Sequence, residues 1–253
     1  MAVKLNVIGS SPAWPNPGGA HSGYLVESGV ERLLLDCGPG VLSRLRETEA
    51  WPDLDAIAIT HFHLDHWGDL VPWVWGAMYR SSNGRVRKPA LWVHQGGREH
   101  LEALGARLGF PEMFERMFAL REYRDREPFA AAGFEVLPVR LPHYTLETYG
   151  FRVSRDGATL AYSGDSAPSE RLVELARDAD LFVCEATLLD ATLDGPPRGH
   201  LTLEEALEAH RASGARRLLL THRPAELPVD DGLELAYDGL ELELEARRAD
   251  SAA

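Results

Sequence analysis

The first half of the chain gathers its apolar residues into short blocks rich in β-branched and aliphatic side chains: VKLNVIG (3–9), GYLVES (23–28), RLLLDCG (32–38), AIAIT (56–60) and ALWVH (90–94). Blocks of that length, each running into Gly, Asp, Ser or His, predict β-strands. From Asp65 to about Tyr79, and again across roughly 97–123, the period changes to a helical one. Leu101, Leu104 and Leu108 share a face there, and GGREHLEALGARLG opens and closes on glycine. The second half repeats the scheme with FEVLPVRL (134–141), YGFRVS (149–154), TLAYSGD (159–165), LFVCEAT (181–187) and RLLLTH (217–222), the last three separated by helices at about 168–178 and 202–213. Two strand-rich halves with interspersed helices predict an α/β protein built as a four-layered αββα sandwich. Two mixed β-sheets pack face to face with helices outside, and the loops at the strand ends carry the chemistry.

Composition narrows this picture. With 253 residues, 45% of them apolar and 26% charged, the chain can enclose one large core, so a single domain over 1–245 is expected, with the tail 246–253 outside it. No run approaches about 18 apolar residues, and the N-terminus enters a strand-like block without a leader pattern, so no membrane partner and a cytoplasmic location are expected. Cys37 and Cys184 each end an apolar run and read as buried free thiols. The formal net charge of −13 argues against a long nucleic acid as the ordinary partner, because a surface that grips phosphates needs basic residues to release counterions. RSSNGRVRK (80–88) is the best local basic patch, and it reads as a solvated loop.

The chemistry is concentrated in ITHFHLDHWGDL (59–70). In extended chain His61 and His63 point to one side, because strand side chains alternate with a period of two, and a turn into a helix at Asp65 swings Asp65 and His66 back toward the same space. Imidazoles and carboxylates so spaced suit divalent transition metals, and so many ligands on one loop predict two ions side by side. Two metal spheres need more ligands than that loop supplies. His143, Asp165 and His222 each follow directly on an apolar block, where a side chain emerges at a sheet edge.

Through THFHLDH, PH, SGDS and LLTH, in that order, the chain resembles the metallo-β-lactamase-fold hydrolase superfamily over nearly its whole length. The resemblance implies that His61, His63 and His143 hold one metal, Asp65, His66 and His222 the other, and that Asp165 bridges them. GHLTLEEALEA (199–209), LAYDGLELEL (235–244) and CEAT (184–187) are similar to segments of ribonuclease Z-type phosphodiesterases, the first departing at Leu201, where those carry serine. SGYLV, SGDS and CEAT also resemble bacterial cyclic-nucleotide phosphodiesterases of this fold, and a homodimer is implied by the same likeness. Zn²⁺ is the first expectation for the ions, and Mn²⁺ or iron also suits a His/Asp set without thiolate.

Two neighbouring dications lower the pKa of water toward about 7 and neutralise charge in the transition state, which points to hydrolysis. Asp65 and His200 are the expected catalytic residues, His200 as the acid that protonates a leaving alkoxide. Thr202 fits the N-cap of the helix that follows. Asp36 is expected to orient a histidine ligand by accepting its other ring proton, and Glu185 to do similar work or to cap backbone. His21, in a Gly/Pro-rich loop, and Trp67 are the candidate substrate contacts, although core packing is the favoured role for the tryptophans of 67–75. His94, His100 and His210 are assigned to structure or solvent. The favoured substrate is a small phosphodiester such as a cyclic nucleotide. Transfer RNA 3′ processing lacks an evident basic, Gly-rich arm; thioester, lactone or β-lactam hydrolysis on the same centre would need no His200; and a non-catalytic metal-binding protein remains a further alternative.

Overall fold

The computed structural model describes residues 1–48, 50–51, 53–79 and 88–244, so the tail and most of the basic RSSNGRVRK segment lie outside the described residues. The described strands form two sheets. The first contains β1 (Val3–Gly9), β2 (Gly23–Ser28), β3 (Glu31–Leu35), β4 (Ala56–Ala58), β5 (Ala90–His94), β6 (Ala119–Tyr123) and β13 (Glu241–Leu244), in the order β13-β1-β2-β3-β4-β5-β6. The second contains β7 (Phe129–Ala131), β8 (Phe134–His143), β9 (Leu146–Arg155), β10 (Ala158–Tyr162), β11 (Leu181–Glu185) and β12 (Leu218–Thr221), in the order β12-β11-β10-β9-β8-β7. Each sheet is mixed: β3 to β6 pair in parallel, as do β10 to β12, while the remaining pairs are antiparallel.

Three apolar clusters define the layers. Leu5, Val7, Leu33, Phe134, Phe151 and Leu219 pack between the sheets. On the outside of the first sheet, Leu34, Ile57 and Leu91 meet α1 (Val41–Leu45), α2 (Leu64–Trp67), α3 (Leu70–Tyr79), α4 (Gly97–Arg107) and α5 (Met113–Met117). On the outside of the second, Phe182 and Leu220 meet α6 (Glu170–Ala176) and α7 (Leu203–Ser213). This is the αββα sandwich of the metallo-β-lactamase fold. Central strands such as β4 and β11 are buried throughout, as strands covered on both faces must be, whereas β8 alternates buried and exposed positions.

The sequence pattern misassigns part of 97–123. Helix α4 stops at Arg107, Gly109 takes a left-handed φ of 78°, and Pro111 disfavours helical backbone at Phe110. After the short α5 the chain enters β6, a parallel strand whose buried Leu120 and Tyr123 carry no clear alternation. The expected helix over Asp65–Tyr79 is two helices. Their junction at Gly68 and Asp69 is tied to α1, since the Leu42 N–H donates to the Asp69 carboxylate at 2.8 Å.

Parallel pairing explains where the site falls. Strands β3, β4, β10, β11 and β12 all end at one edge of the sandwich, and β8, antiparallel to β9 as β10 is, ends there as well. Glu185 and His143 close β11 and β8, and Asp36, His61, Asp165 and His222 follow the ends of β3, β4, β10 and β12. Loops at the carboxyl ends of strands converge on one crevice.

Candidate metal centre

The loop after β4 delivers His61 and His63 in extended backbone, with His63 at φ −71° and ψ 139°, and α2 then begins and turns Asp65 and His66 inward. The chain can return past this loop because Gly38 has no side chain. A Cβ there would lie 2.0 Å from the Asp65 carbonyl oxygen. Asp36 and His222 both take left-handed backbone, φ 60° and 52°, which bends each side chain off the end of its strand into the crevice.

The predicted ligands come together. His61, His63, His143 and Asp165 offer donor atoms all within 4.8 Å of one another, and so do Asp65, His66, Asp165 and His222. Asp165 belongs to both groups with different oxygens. Its Oδ2 lies 3.8 Å from His61 Nε2 and 3.7 Å from His143 Nε2, and its Oδ1 lies 3.2 Å from His66 Nε2 and 3.6 Å from His222 Nε2.

Most of the imidazoles are held by the nitrogen that faces away. Nδ1 of His66 donates to Asp36 at 2.7 Å, Nδ1 of His143 to the Gly199 carbonyl at 2.6 Å, Nδ1 of His61 meets the Thr60 hydroxyl at 3.0 Å, and Nδ1 of His222 meets the Thr187 hydroxyl at 2.9 Å. Because the Thr60 hydroxyl donates to Asp36 and the Thr187 hydroxyl to Glu185, each accepts the histidine proton. Such outer contacts fix the tautomer that leaves Nε2 bare for a metal. His63 differs, its Nδ1 facing His143 Nε2 at 2.9 Å. The buried Nε2 atoms of His61 and His66 and the Oδ1 of Asp165 have no aligned hydrogen-bond partner, a costly arrangement for polar atoms unless a cation takes the lone pairs. Donor chemistry and orphaned atoms together fit divalent ions.

The electrostatics agree. Burial pushes His61, His63 and His143 toward the neutral form a metal ligand needs. Burial opposes charge on His66 too, but Asp165, Asp36 and Asp65 outweigh it and hold the ring protonated well above its usual range. Asp65 and Asp165 lie below the usual carboxylate range despite burial, Asp65 chiefly through His66 and Asp165 through His222 and His66. Carboxylates arranged to keep one proton on His66 are equally arranged to receive a cation.

His200 stands beside this set, on the loop before α7. Its Nδ1 is 3.0 Å from Glu185 Oε1 and 4.0 Å from Asp165 Oδ2, and its ring lies parallel to that of His222 at 5.7 Å. Burial would lower it, but Glu185 and then Asp165 raise it to about 9. Glu185 also accepts from Ser166 N–H, from Thr187 and from Leu201 N–H, so it braces the strand ends as well as orienting His200. At the serine position of the resembled segment, Leu201 is fully buried, and the Thr202 hydroxyl forms a capping box with Glu205.

His21 is buried with Nδ1 bonded to the Pro12 carbonyl at 3.0 Å, which anchors its own loop, and the charges of Asp65, His66 and His222 reach it. Trp67 offers no face to a substrate. It is 3% exposed, packs among Leu70, Trp73 and Val74, and donates its indole N–H to the Phe62 carbonyl, so the packing role prevails. Residues that the sequence reading passed over are Thr60, Thr187, Tyr162, Tyr144 and Asp194. Tyr162 donates to Asp36 at 2.8 Å, Thr60 and Tyr144 adjoin His61 and His143 along the chain, Thr187 is two residues from Glu185, and Asp194 carries no such signal. Among the described residues no helix is long and apolar enough to cross a membrane.

A family model described as a beta-lactamase superfamily domain matches residues 31–223. Among curated proteins, the probable metallo-hydrolase YhfI of Bacillus subtilis is 30% identical over 88% of this chain and 87% of its own length. A ribonuclease Z of Archaeoglobus fulgidus is 26% identical, likewise over 88% of this chain and 87% of its own. The crystal structure of YhfI, a metallo-β-lactamase fold protein, superposes with a TM-score of 0.83 at 26% identity, covering 96% of this chain and all of that one. The short form of human tRNase Z superposes at 0.74 with 24% identity, covering 96% of this chain and 99% of that one, and shares the fold. With the family model matching residues 31–223 and YhfI 30% identical over 88% of the chain, the protein belongs to the beta-lactamase superfamily and is a metallo-hydrolase of the metallo-β-lactamase fold.

Proposed function

We propose that the protein is a phosphodiesterase with two divalent ions, Zn²⁺ first among them, acting on a small phosphodiester such as a cyclic nucleotide. His61, His63 and His143 would hold one ion, Asp65, His66 and His222 the other, and the two oxygens of Asp165 would serve both. Bound there, the ions supply an activated water at neutral pH and offset the charge that develops on phosphoryl oxygens.

The observation that carries the phosphodiester assignment is the His200–Glu185 pair set beside the ligand groups. An alkoxide leaves poorly without a proton. Glu185 fixes Nδ1–H of His200 and keeps the ring charged, which leaves Nε2–H for the leaving oxygen. Thioester hydrolysis, whose thiolate leaves without a proton, gives this pair no such task. The ribonuclease Z likeness supports attack on phosphodiesters, and the net charge of −13 supports a small one over a folded RNA.

Metal-reconstituted protein assayed on bis-(p-nitrophenyl) phosphate, cyclic AMP, a precursor transfer RNA, a thioester and a β-lactam tests the assignment. Turnover of the first two is expected, and the His200→Ala variant should lose about 10²- to 10⁴-fold on cyclic AMP. It should lose far less on the p-nitrophenyl ester, whose leaving group needs no proton. An equal loss on both removes His200 as the acid.

A further inference from the structure

Tyr144 sits in the turn between β8 and β9, directly after His143, with φ at 49°, a left-handed conformation that a bulky side chain adopts only when its surroundings impose it. Its surroundings do so from several directions. Its backbone N–H donates to the Arg198 carbonyl at 3.0 Å. Its hydroxyl faces Asp194, whose Oδ2 accepts the N–H groups of Gly199 and His200 at 2.7 and 3.0 Å. Its ring lies against Gly199, where an added Cβ would come within 2.4 Å of ring carbons Cε2 and Cζ.

The ring is thereby fixed to the loop that carries His200, and it still keeps 39% of the residue exposed. Its centroid lies 4.8 Å from that of His143, 5.7 Å from His200 and 6.4 Å from His63. It stands beside His143 and His200, on the side where His200 would meet the leaving oxygen. A clamped, half-exposed aromatic face is a stacking platform, because little entropy is lost when a planar group settles on it.

We infer that Tyr144 determines specificity by stacking a planar group, such as a nucleobase, carried on the leaving side of the phosphodiester. The inference rests on the phosphodiesterase reading for its turnover arm alone. Turnover is compared for cyclic AMP and for ribose 3′,5′-cyclic phosphate, which has the same leaving oxygen and no base. Equilibrium dialysis is run in parallel with AMP and ribose 5-phosphate on the metal-loaded protein. In wild type the base-bearing member of each pair is favoured. Tyr144→Phe keeps that preference, while Tyr144→Leu reduces it roughly 10-fold, in KM more than in kcat and equally in the dialysis.

If Tyr144→Leu weakens both members of each pair by the same factor, the residue is structural and the inference falls. Wild type that binds AMP over ribose 5-phosphate through Tyr144 but hydrolyses neither diester would sink the phosphodiesterase reading and leave the platform standing.

Discussion

Asp36 shows how much of this centre depends on residues that touch no metal. Its carboxylate is fully buried and accepts from Thr60 N–H, the Thr60 hydroxyl, the Tyr162 hydroxyl and His66 Nδ1–H. Asp36→Asn keeps the shape but turns an amide N–H₂ toward groups that also donate. Removing such a partner costs metal affinity about 10- to 100-fold, and competition against a chelator should read that loss. Unchanged affinity would show that His66 is oriented by other contacts. By the same argument Thr187→Val, which frees His222 Nδ1 and one contact of Glu185, should weaken metal binding and lower kcat together, as metal titration and steady-state kinetics would show.

The proposed ligands, which the fold brings together, were legible in the sequence because metal chemistry restricts such candidates to His and Asp at strand ends. Thr60, Thr187, Tyr144 and Asp194 were not. Threonine, tyrosine and aspartate occur on any surface, and only the fold brings Thr187 to His222 across 35 residues or Tyr144 to the Asp194 loop.

Among the elements, α7 and the segment around Gly38 set the crevice. The capping box of Thr202 and Glu205 begins α7 immediately after His200, and Arg198 adds a two-pronged pair to Glu205 with distances of 2.7 and 2.8 Å. Thr202→Ala should cost about 1 kcal/mol, which for a chain of this size is a Tm lowered by roughly 2–4 °C in a thermal melt. No change would mean that Arg198 and Glu205 hold the loop unaided. Gly38→Ala forces a methyl against the Asp65 carbonyl, and overpacking of this kind costs about 1–3 kcal/mol. Its distinguishing mark would be lost metal affinity alongside the lowered Tm, since Asp65 must move.

Helix α7, with its cap, its apolar face and a glycine at its end, was plain in the sequence, as were the fully apolar central strands. Strands β6 and β7 were not. They sit at the sheet edges, and their short segments follow Pro111 and the turn around Arg126 without a period of two or of 3.6 to declare them.

At the scale of the molecule, the αββα arrangement followed from two runs of strands interrupted by helices, because sheets with one apolar face must cover it. What the pattern left open is the way mixed pairing sends the parallel strands of both sheets to a common edge. That edge gathers the buried carboxylates of Asp36, Asp65, Asp165 and Glu185, with a protonated His66 set against them, and a cation can take the place of that proton. Ions that bind the folded state at a thousand times their dissociation constant add about 4 kcal/mol, so chelation should lower the Tm by on the order of 10 °C. A melt indifferent to chelator would deny that the ligand groups hold ions at all.

The most direct measurement of the central claim is turnover of cyclic AMP by metal-stripped protein as Zn²⁺ is added back, with a thioester and a β-lactam assayed alongside. Phosphodiester hydrolysis that appears with metal and levels off near two equivalents is the predicted result. Activity confined to the thioester or the β-lactam, or saturation at a single equivalent, would contradict it.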